Sequence, residues 1–557
     1  MTPRDALVAR LAARRFDLLV IGGGIVGAGI ARDAAMRGLS VALVEQGDFA
    51  SGTSSKTSKL IHGGLRYLEH GHLRLVFESL RERSILRTIA PGMVHPLSLI
   101  LPLYRGDRRA PWTVNVGLWL YDVLAGRGNI RPHRMLSARR AVALEPALRV
   151  DGLRAAGVYA DCQMDDARLC LANILQAASL GAACGNYLRV RTLLRAEHRV
   201  CGTAVEDLLT GRTLEIKAQA VINAAGPWAD QVRKLSDGRA LRRLSPTKGV
   251  HLILPRVAQE ALFVQAKTDA RMIFLLPWGD YSLIGTTETA VRGPLESLAA
   301  SPDDVGYLLE EVRRILPGSR YSEGDIVATF AGARPLLSFA GASTSASREH
   351  QIEVDRWGLI SALGGKFTTY RRMAAQAVDA AIAASRLKAD RCLTADVGLS
   401  EILHPSSLAY WTELTRRVDP DLLARLLVRY GAGAIQILRL IAREPRLARP
   451  LCPHHEYIEA EIVHAVNHEF ACTLTDILAR RTRIAWSSCQ GLDALSTMTD
   501  LIQRWMPLTA PQLERQAEAY RQFLAQGLAF RHAREAAQES PLALSRPAQP
   551  VHQEHSA

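Results

Sequence analysis

The stretch FDLLVIGGGIVGAGIARDAAMRGLSVALVEQ, residues 16–46, opens on an apolar run, breaks at a cluster of glycines, resumes with helical spacing and closes on a second apolar run. That order predicts strand, glycine turn, helix, strand. Gly22, Gly24 and Gly27 make G-x-G-x-x-G, and Glu45 ends the second strand roughly 20 residues on, where the ribose hydroxyls of a bound dinucleotide would lie. The glycines let backbone N–H groups approach a pyrophosphate at the positive end of the helix. A glycine triplet alone is a weak signal; strand, helix and terminal acid in register make it a specific one.

FAD and NAD share this fingerprint, so the rest of the chain must discriminate. LEIKAQAVINAAGPWAD, residues 214–230, reads as a strand ending in Gly226-Pro227-Trp228. WGLISALGGKFTTYRRMAAQAVDAAIAA, from residue 357, reads as a strand, a Gly364-Gly365-Lys366 turn and an amphipathic helix. These are pieces of one α/β nucleotide domain, separated in sequence by other material. Between them, KGVHLILP, RMIFLLPWGDYSLIGTT and DIVATFAGARPL within residues 241–337 predict an antiparallel sheet over the nucleotide. After about residue 400 the spacing turns helical.

With 557 residues and 48% hydrophobic content, the chain can bury a substantial core. Lys+Arg 69 against Asp+Glu 55 gives a net charge of +14. The excess points to an anionic partner: a phosphorylated substrate, nucleic acid or an acidic membrane surface. The basic residues form no compact stripe and no RNA-binding motif, which argues against nucleic acid. Eight cysteines lie scattered without a C-x-x-C pair, as in reduced proteins, so neither a disulfide framework nor a metal is expected. His464 and His468 stand at i, i+4, but Ala465 occupies the place where the zinc-protease motif needs its glutamate, and they are expected at a helix surface or a domain boundary. YGAGAIQ at 430–436 follows a helix and lacks a third glycine, so it is no second dinucleotide site.

GGGIVGAGIA, TSSKTSKLIHGGLRYLEHG, DDARL at 165–169, NAAGPW, KGVHLILP, LPWGDYSLIGTTE, GARPL and LGGKFTTYR follow one another in an order and spacing that resembles the membrane-associated, FAD-dependent glycerol-3-phosphate dehydrogenases, within the D-amino-acid-oxidase-like flavoproteins. The likeness runs from residue 16 to about 530. It implies a discontinuous Rossmann-like FAD-binding domain, an antiparallel-sheet substrate domain and an all-helical C-terminal cap domain. The oxidoreductase domain is expected over 16–400, with FAD segments near 16–90, 155–240 and 352–395 and membrane or substrate segments near 91–154 and 241–351. The helical domain follows over 401–530; residues 1–15 are expected to be a short N-terminal cap and 531–557 a disordered tail.

The implied reaction oxidises sn-glycerol 3-phosphate to dihydroxyacetone phosphate by hydride transfer to flavin N5, with electrons passing to a membrane quinone. A glycerophosphate oxidase using oxygen, or an amine or amino-acid oxidase, is the alternative. A dianionic phosphate and a secondary alcohol require cations and a base. Arg334, Arg348 and Lys366 are assigned to the phosphate, since guanidinium forks suit its oxygens, and Arg66 and Tyr67 to the polyol end, with roles exchangeable among the cations. His251 is the candidate base; its bland reading is a histidine bonding a carbonyl at a strand end. Beyond Gly22, Gly24, Gly27 and Glu45, FAD contacts are expected from Ser54, Ser55, Lys59, His62, Gly63 and Gly64, from Gly226 and Trp228, and from Gly365, Phe367 and Thr368. Lys56 departs from the small residues expected there and adds a charge near the pyrophosphate. Glu288 stands where an aspartate is expected.

In residues 96–134, Trp112, Val116, Trp119, Leu120 and Val123 share one helical face flanked by Arg105, Arg108, Arg109, Arg127, Arg131 and Arg134. Aromatics beside basic groups suit an interfacial helix, an ordinary core helix beside a basic loop being equally compatible. The resemblance favours a membrane face, with the protein on the cytoplasmic side of the cytoplasmic membrane, and leaves a homodimer open. No apolar run is long enough to span a bilayer.

Overall fold

The computed structural model describes residues 3–338, 349–399, 414–415, 418–506 and 508–532. Arg348 and the tail from residue 533 lie outside the described residues, as does the start of the expected helical domain.

The opening stretch folds as Arg15–Ile21, helix Ile25–Met36 and Val41–Val44, and the two strands pair in parallel with Ile21 opposite Val44. All seven central positions Leu18 to Ile21 and Val41 to Leu43 are buried, because both faces of this sheet are covered. Its strand order is His350–Val354, Leu359–Gly364, Thr213–Asn223, Arg15–Ile21, Val41–Val44, Ala183–Gly185. All neighbours run parallel except the outermost hairpin 350–364, and a second hairpin, Leu188–Ala196 with Arg199–Asp207, joins Thr213–Asn223 antiparallel. Helices Ile25–Met36, Asp166–Ser179 and Tyr370–Ser385 pack together with it. The strands come from three separate stretches of chain, 15–44, 183–223 and 350–364, as the discontinuous reading expects. At the expected N-terminal cap, residues 3–13 form a helix: Leu11 is fully buried against the sheet and Arg4 bonds Asp207 at 2.9 Å.

The second sheet has ten strands, with Thr247–Pro255 between Ala328–Arg334 and Tyr281–Gly285. It is antiparallel but for one junction, where Ala261–Gln265 runs parallel to Val94–Tyr104. The chain leaves the sheet after Leu153–Met164 for the nucleotide domain and re-enters it at Thr247–Pro255, the strand that precedes Ala261–Gln265. Residues 94–104 are thus a strand pairing along its length with Leu153–Met164. Pro111–Ala125 is the one α-helix of the basic-aromatic block, followed by a single 3-10 turn at Gly126–Gly128. Val114, Leu118 and Tyr121 of that helix are buried, whereas Trp112 is 72%, Val116 55%, Trp119 59% and Val123 53% exposed. Among the described residues no helix is long and apolar enough to cross a membrane.

The helical C-terminal region has its own core, built by helices Pro420–Tyr430, Ala434–Arg443, Glu459–His468, Leu495–Trp505 and Ala510–Gly527. It is fastened to the nucleotide domain by buried charge. Arg480 and Arg481 both bond Asp48, and Arg168 bonds Glu469 at 2.8 Å. His464 is buried, 3.5 Å from Glu469 at this boundary, while His468 is exposed.

Candidate active site

Parallel strands place their C-terminal ends along one edge, where open α/β sheets bind ligands. Ile21, Val44 and Asn223 are aligned there, and the turns that follow open a cavity of about 970 Å³ reaching up to the second sheet. Gly22, Gly24, Glu45, Ser54, Gly226, Trp228, Gly365, Phe367 and Thr368 line the nucleotide side; His62, His251, Arg334 and Lys366 line the same cavity.

Gly22 sits at φ +110°, and a Cβ there would lie 2.5 Å from the Ala224 carbonyl oxygen. Gly27 does not line the cavity; a Cβ on it would lie 1.9 Å from the Gly22 oxygen, so it lets the helix close onto the turn. The helix therefore presents Gly24, Ile25 and Val26, its first turn, to the cavity. The Ile25 N–H donates to Ser54 Oγ at 2.9 Å, which ties the hydroxyl run to the helix end. Glu45 accepts from the Gly23 and Gly47 N–H groups at 2.6 and 2.8 Å, which fixes its carboxylate at the strand tip. Burial pushes that carboxyl above its ordinary value despite these bonds.

Other members of the hydroxyl run support the site from behind. Lys59, Ser55, Gly63 and Gly64 do not line the cavity. The Lys59 ammonium is buried, bonding Asp166 and the Ser55 carbonyl. The Gly63 N–H donates to Tyr121 Oη at 2.8 Å, and that tyrosine bonds Asp161, itself paired with Arg83 at 2.6 Å. Lys56 does line the cavity; burial, with Arg480 adding to it, lowers its ammonium to about 8.

His251 and Arg334 occupy neighbouring strands of the upper sheet. Arg334 Nη2 donates to Thr286 Oγ1 at 2.8 Å and to the Thr287 carbonyl at 3.1 Å, holding the guanidinium in one plane. The His251 ring stacks on Phe330 at 5.0 Å, and its Nε2 is 2.8 Å from Ser58 Oγ. Its Nδ1 is buried with no hydrogen bond from the described residues. Burial drives the imidazole well below its ordinary value, with Arg334 and Lys59 acting in the same direction, so it is neutral. This is not the carbonyl-bonded histidine of the bland reading.

Lys366 begins the Phe367–Thr369 turn, and its Nζ lies 4.9 Å from the centroid of Tyr67, over which Arg66 also sits at 5.8 Å. Arg66 and Tyr67 are thus grouped with Lys366 but do not themselves line the cavity. Thr368 exchanges bonds with the His62 backbone, joining the two segments. Ser58, Thr286, Tyr121 and Asp161 were not singled out from sequence. Ser58 and Thr286 stand in quoted motifs, the hydroxyl run and LPWGDYSLIGTTE, whereas Tyr121 and Asp161 are brought in by tertiary pairing that no local pattern signals.

A family profile described as FAD dependent oxidoreductase matches residues 17–371, and one described as the C-terminal domain of alpha-glycerophosphate oxidase matches residues 364–512. Glycerol-3-phosphate dehydrogenases of Mycobacterium leprae and of Synechocystis are 37% and 38% identical, over 93% and 92% of this chain and 89% and 96% of theirs. The chain belongs to the FAD-dependent glycerol-3-phosphate dehydrogenase family. A solved member, the glycerol-3-phosphate dehydrogenase of Bacillus halodurans complexed with FAD, is 29% identical, superposes with a TM-score of 0.77, and is covered over 97% of its length by 94% of this chain. The family's cofactor, FAD, fits the cavity described: a glycine-only turn, a helix N-terminus, a carboxylate at the strand tip and enough volume for a dinucleotide. As in its relatives, the chain is a flavoprotein oxidoreductase.

Proposed function

We propose that this enzyme oxidises the C2 hydroxyl of sn-glycerol 3-phosphate to dihydroxyacetone phosphate and passes the electrons to a membrane quinone. Bound FAD supplies the hydride acceptor. The observation that carries the reading is a neutral histidine set among fixed cations on the far wall of the nucleotide cavity. Arg334, held by Thr286 and Thr287, and Lys366 bind the phosphate; their charge is matched to a dianion rather than to a single carboxylate, which disfavours an amino-acid substrate. Arg348 is assigned to the same phosphate from its motif alone. Arg66 and Tyr67, behind Lys366, set the position of the polyol end. With Nε2 engaged by Ser58, His251 takes the hydroxyl proton at Nδ1. Ser54, Glu45 and the first turn of the helix at Ile25 hold the dinucleotide, and Phe367 and Thr368 close over it.

The exposed tryptophan face of helix Pro111–Ala125 supports the quinone. Leu73 and Phe77, 45% and 51% exposed on a neighbouring helix, extend it, and Arg105, Arg108, Arg127, Arg131 and Arg134 are exposed around it. Arg109 is instead committed to Glu69 and Gln265. Such a face sinks into headgroups and reaches a lipid-soluble acceptor without spanning the bilayer; attachment is to the inner face of the cytoplasmic membrane. Anaerobic addition of glycerol 3-phosphate to the purified holoenzyme should bleach the flavin absorbance, and an unbleached spectrum would sink the substrate assignment. Aerobic turnover should reduce a ubiquinone analogue; stoichiometric peroxide without quinone reduction would reassign the enzyme as an oxidase.

A further inference from the structure

Cys452 and His455 form a C-x-x-H pair in LCPHH, and Cys489 follows His455 by 34 residues. Folding brings all three together, with one ligand atom from each lying within 4.8 Å of the others. None of them lines the flavin cavity. His455 Nε2 is 3.1 Å from Cys489 Sγ. Ser487 Oγ stands 2.8 Å from the same nitrogen and 3.6 Å from the same sulfur. Around one ion, zinc–sulfur bonds of ~2.3 Å and zinc–nitrogen bonds of ~2.0 Å at tetrahedral angles separate neighbouring ligands by roughly 3.5–3.8 Å. The cluster is already close to that size.

The backbone supplies an independent observation. The Gly491 N–H donates to Cys489 Sγ at 3.4 Å, and the His454 N–H donates to the Cys452 sulfur. Each sulfur thus receives the amide of the residue two positions on. At Cys489 the chain is folded back for this by positive φ at Gln490 (50°) and Gly491 (70°). An amide aimed at sulfur favours thiolate, the form that ligates metal, against the burial that otherwise raises the Cys452 thiol above its ordinary value. The Ser487 hydroxyl donates to the Ile484 carbonyl at 2.7 Å, which leaves oxygen lone pairs for the fourth side.

We propose that Cys452, His455 and Cys489 form a site for one thiophilic divalent cation of the zinc class, with Ser487 Oγ or a water completing the tetrahedron. Two thiolates and an imidazole are the donor set that selects such an ion. Binding releases the two thiol protons to solvent. The site joins the segment before helix Glu459–His468 to the loop after the Ile484–Trp486 turn. That loop reaches the upper sheet, where the Ser488 N–H donates to Tyr281 Oη at 2.9 Å and Gln490 Nε2 to the Val327 carbonyl at 3.0 Å. The ion therefore fastens the helical domain where it meets the sheet that roofs the flavin.

The full-length holoenzyme, reduced and stripped with a chelator, should take up about one cobalt(II) per chain, with intense tetrahedral d–d and sulfur-to-cobalt charge-transfer absorption that zinc displaces. Cys489→Ser and His455→Ala should each weaken uptake by about a hundredfold or more, with flavin absorbance retained; Cys201→Ser, remote from the cluster, should change nothing. Metal should raise the melting temperature of the parent and of Cys201→Ser but not of the other two. Octahedral, sulfur-free cobalt spectra, or uptake and stabilisation indifferent to Cys489→Ser and His455→Ala, would overturn the site.

Discussion

Replacing Trp112 and Trp119 together by serine tests whether the exposed face of helix Pro111–Ala125 holds the enzyme on lipid. Their relative exposures are 72% and 59%. Taking ~200 Å² for each fully exposed indole residue, the pair offers roughly 260 Å², and at ~25 cal/mol per Å² full transfer from water contributes about 6.5 kcal/mol. An interfacial helix immerses only its lipid-facing side, so about half of that, roughly 3 kcal/mol, is at stake, or a factor on the order of a hundred in partition. Sedimentation with anionic phospholipid vesicles should show that weakening. Turnover with a water-soluble electron acceptor should be unchanged, because neither tryptophan lines the flavin cavity. Quinone reduction in the vesicles should fall in parallel with binding. A double variant that partitions within about threefold of the parent, a difference below ~0.7 kcal/mol, would refute the assignment of this face to the membrane.

His251→Gln should retain FAD and lose turnover by roughly 10²–10⁴, as read by steady-state rates at saturating substrate. In the parent, burial favours the neutral imidazole and lowers its pKa below 6.5; kcat/KM should therefore fall only as the pH drops below that value, and an acid limb centred above it would exclude His251 as the base. Gly285→Ala should cut turnover with flavin still bound, because its Cβ would lie 2.3 Å from the His251 ring and push it off Ser58; an unchanged pH profile and rate would refute that placement. Asp48→Asn removes the charge that Arg480 and Arg481 share, leaving Arg480 on Asp476 and Arg481 on the Glu469 carbonyl, and should cost up to about 3–5 kcal/mol in denaturant unfolding. Burial would raise the Asp48 carboxyl, but Arg481 and Arg480 outweigh it and hold it at about 2, so the stabilisation it contributes is intact above the ordinary carboxylate value and is lost as the pH falls toward 2.

The nucleotide half was legible because its signals are local. Gly22, Gly24, Gly27 and Glu45 lie within one strand–helix–strand unit, and the apolar runs of Leu18 to Ile21 and Val41 to Val44 read directly as strands. The upper-sheet strands were legible for the same reason, although the parallel junction of Ala261 with Leu99 was not, since nothing local fixes the direction from which a returning strand arrives. The exposed face at Trp112 and Trp119 followed helical spacing, but whether it pointed inward depended on what the fold placed against it. Lys59 illustrates the limit most clearly. Its position in a hydroxyl-rich run suggested a cofactor contact, whereas Asp166, far along the chain, holds its ammonium in the interior. The Cys452–His455–Cys489 cluster was invisible for a related reason: its third member arrives from a different loop.

Tyr121 and Trp119 lie on opposite sides of one helix, a body roughly 10–12 Å across. Trp119 faces outward, while Tyr121 grips the amide of Gly63, three residues before Arg66. On the proposed attachment, a rigid rod has one side in the bilayer surface and the other on the loop assigned to the polyol end of the substrate. Rolling or tilting of that rod among headgroups would move the pivot of the loop, which would make lipid composition a setting of the active site as well as an address for the protein. Michaelis constants for glycerol 3-phosphate measured in detergent and in vesicles should accordingly differ, and Tyr121→Phe, which uncouples rod from loop, should bring the two values together.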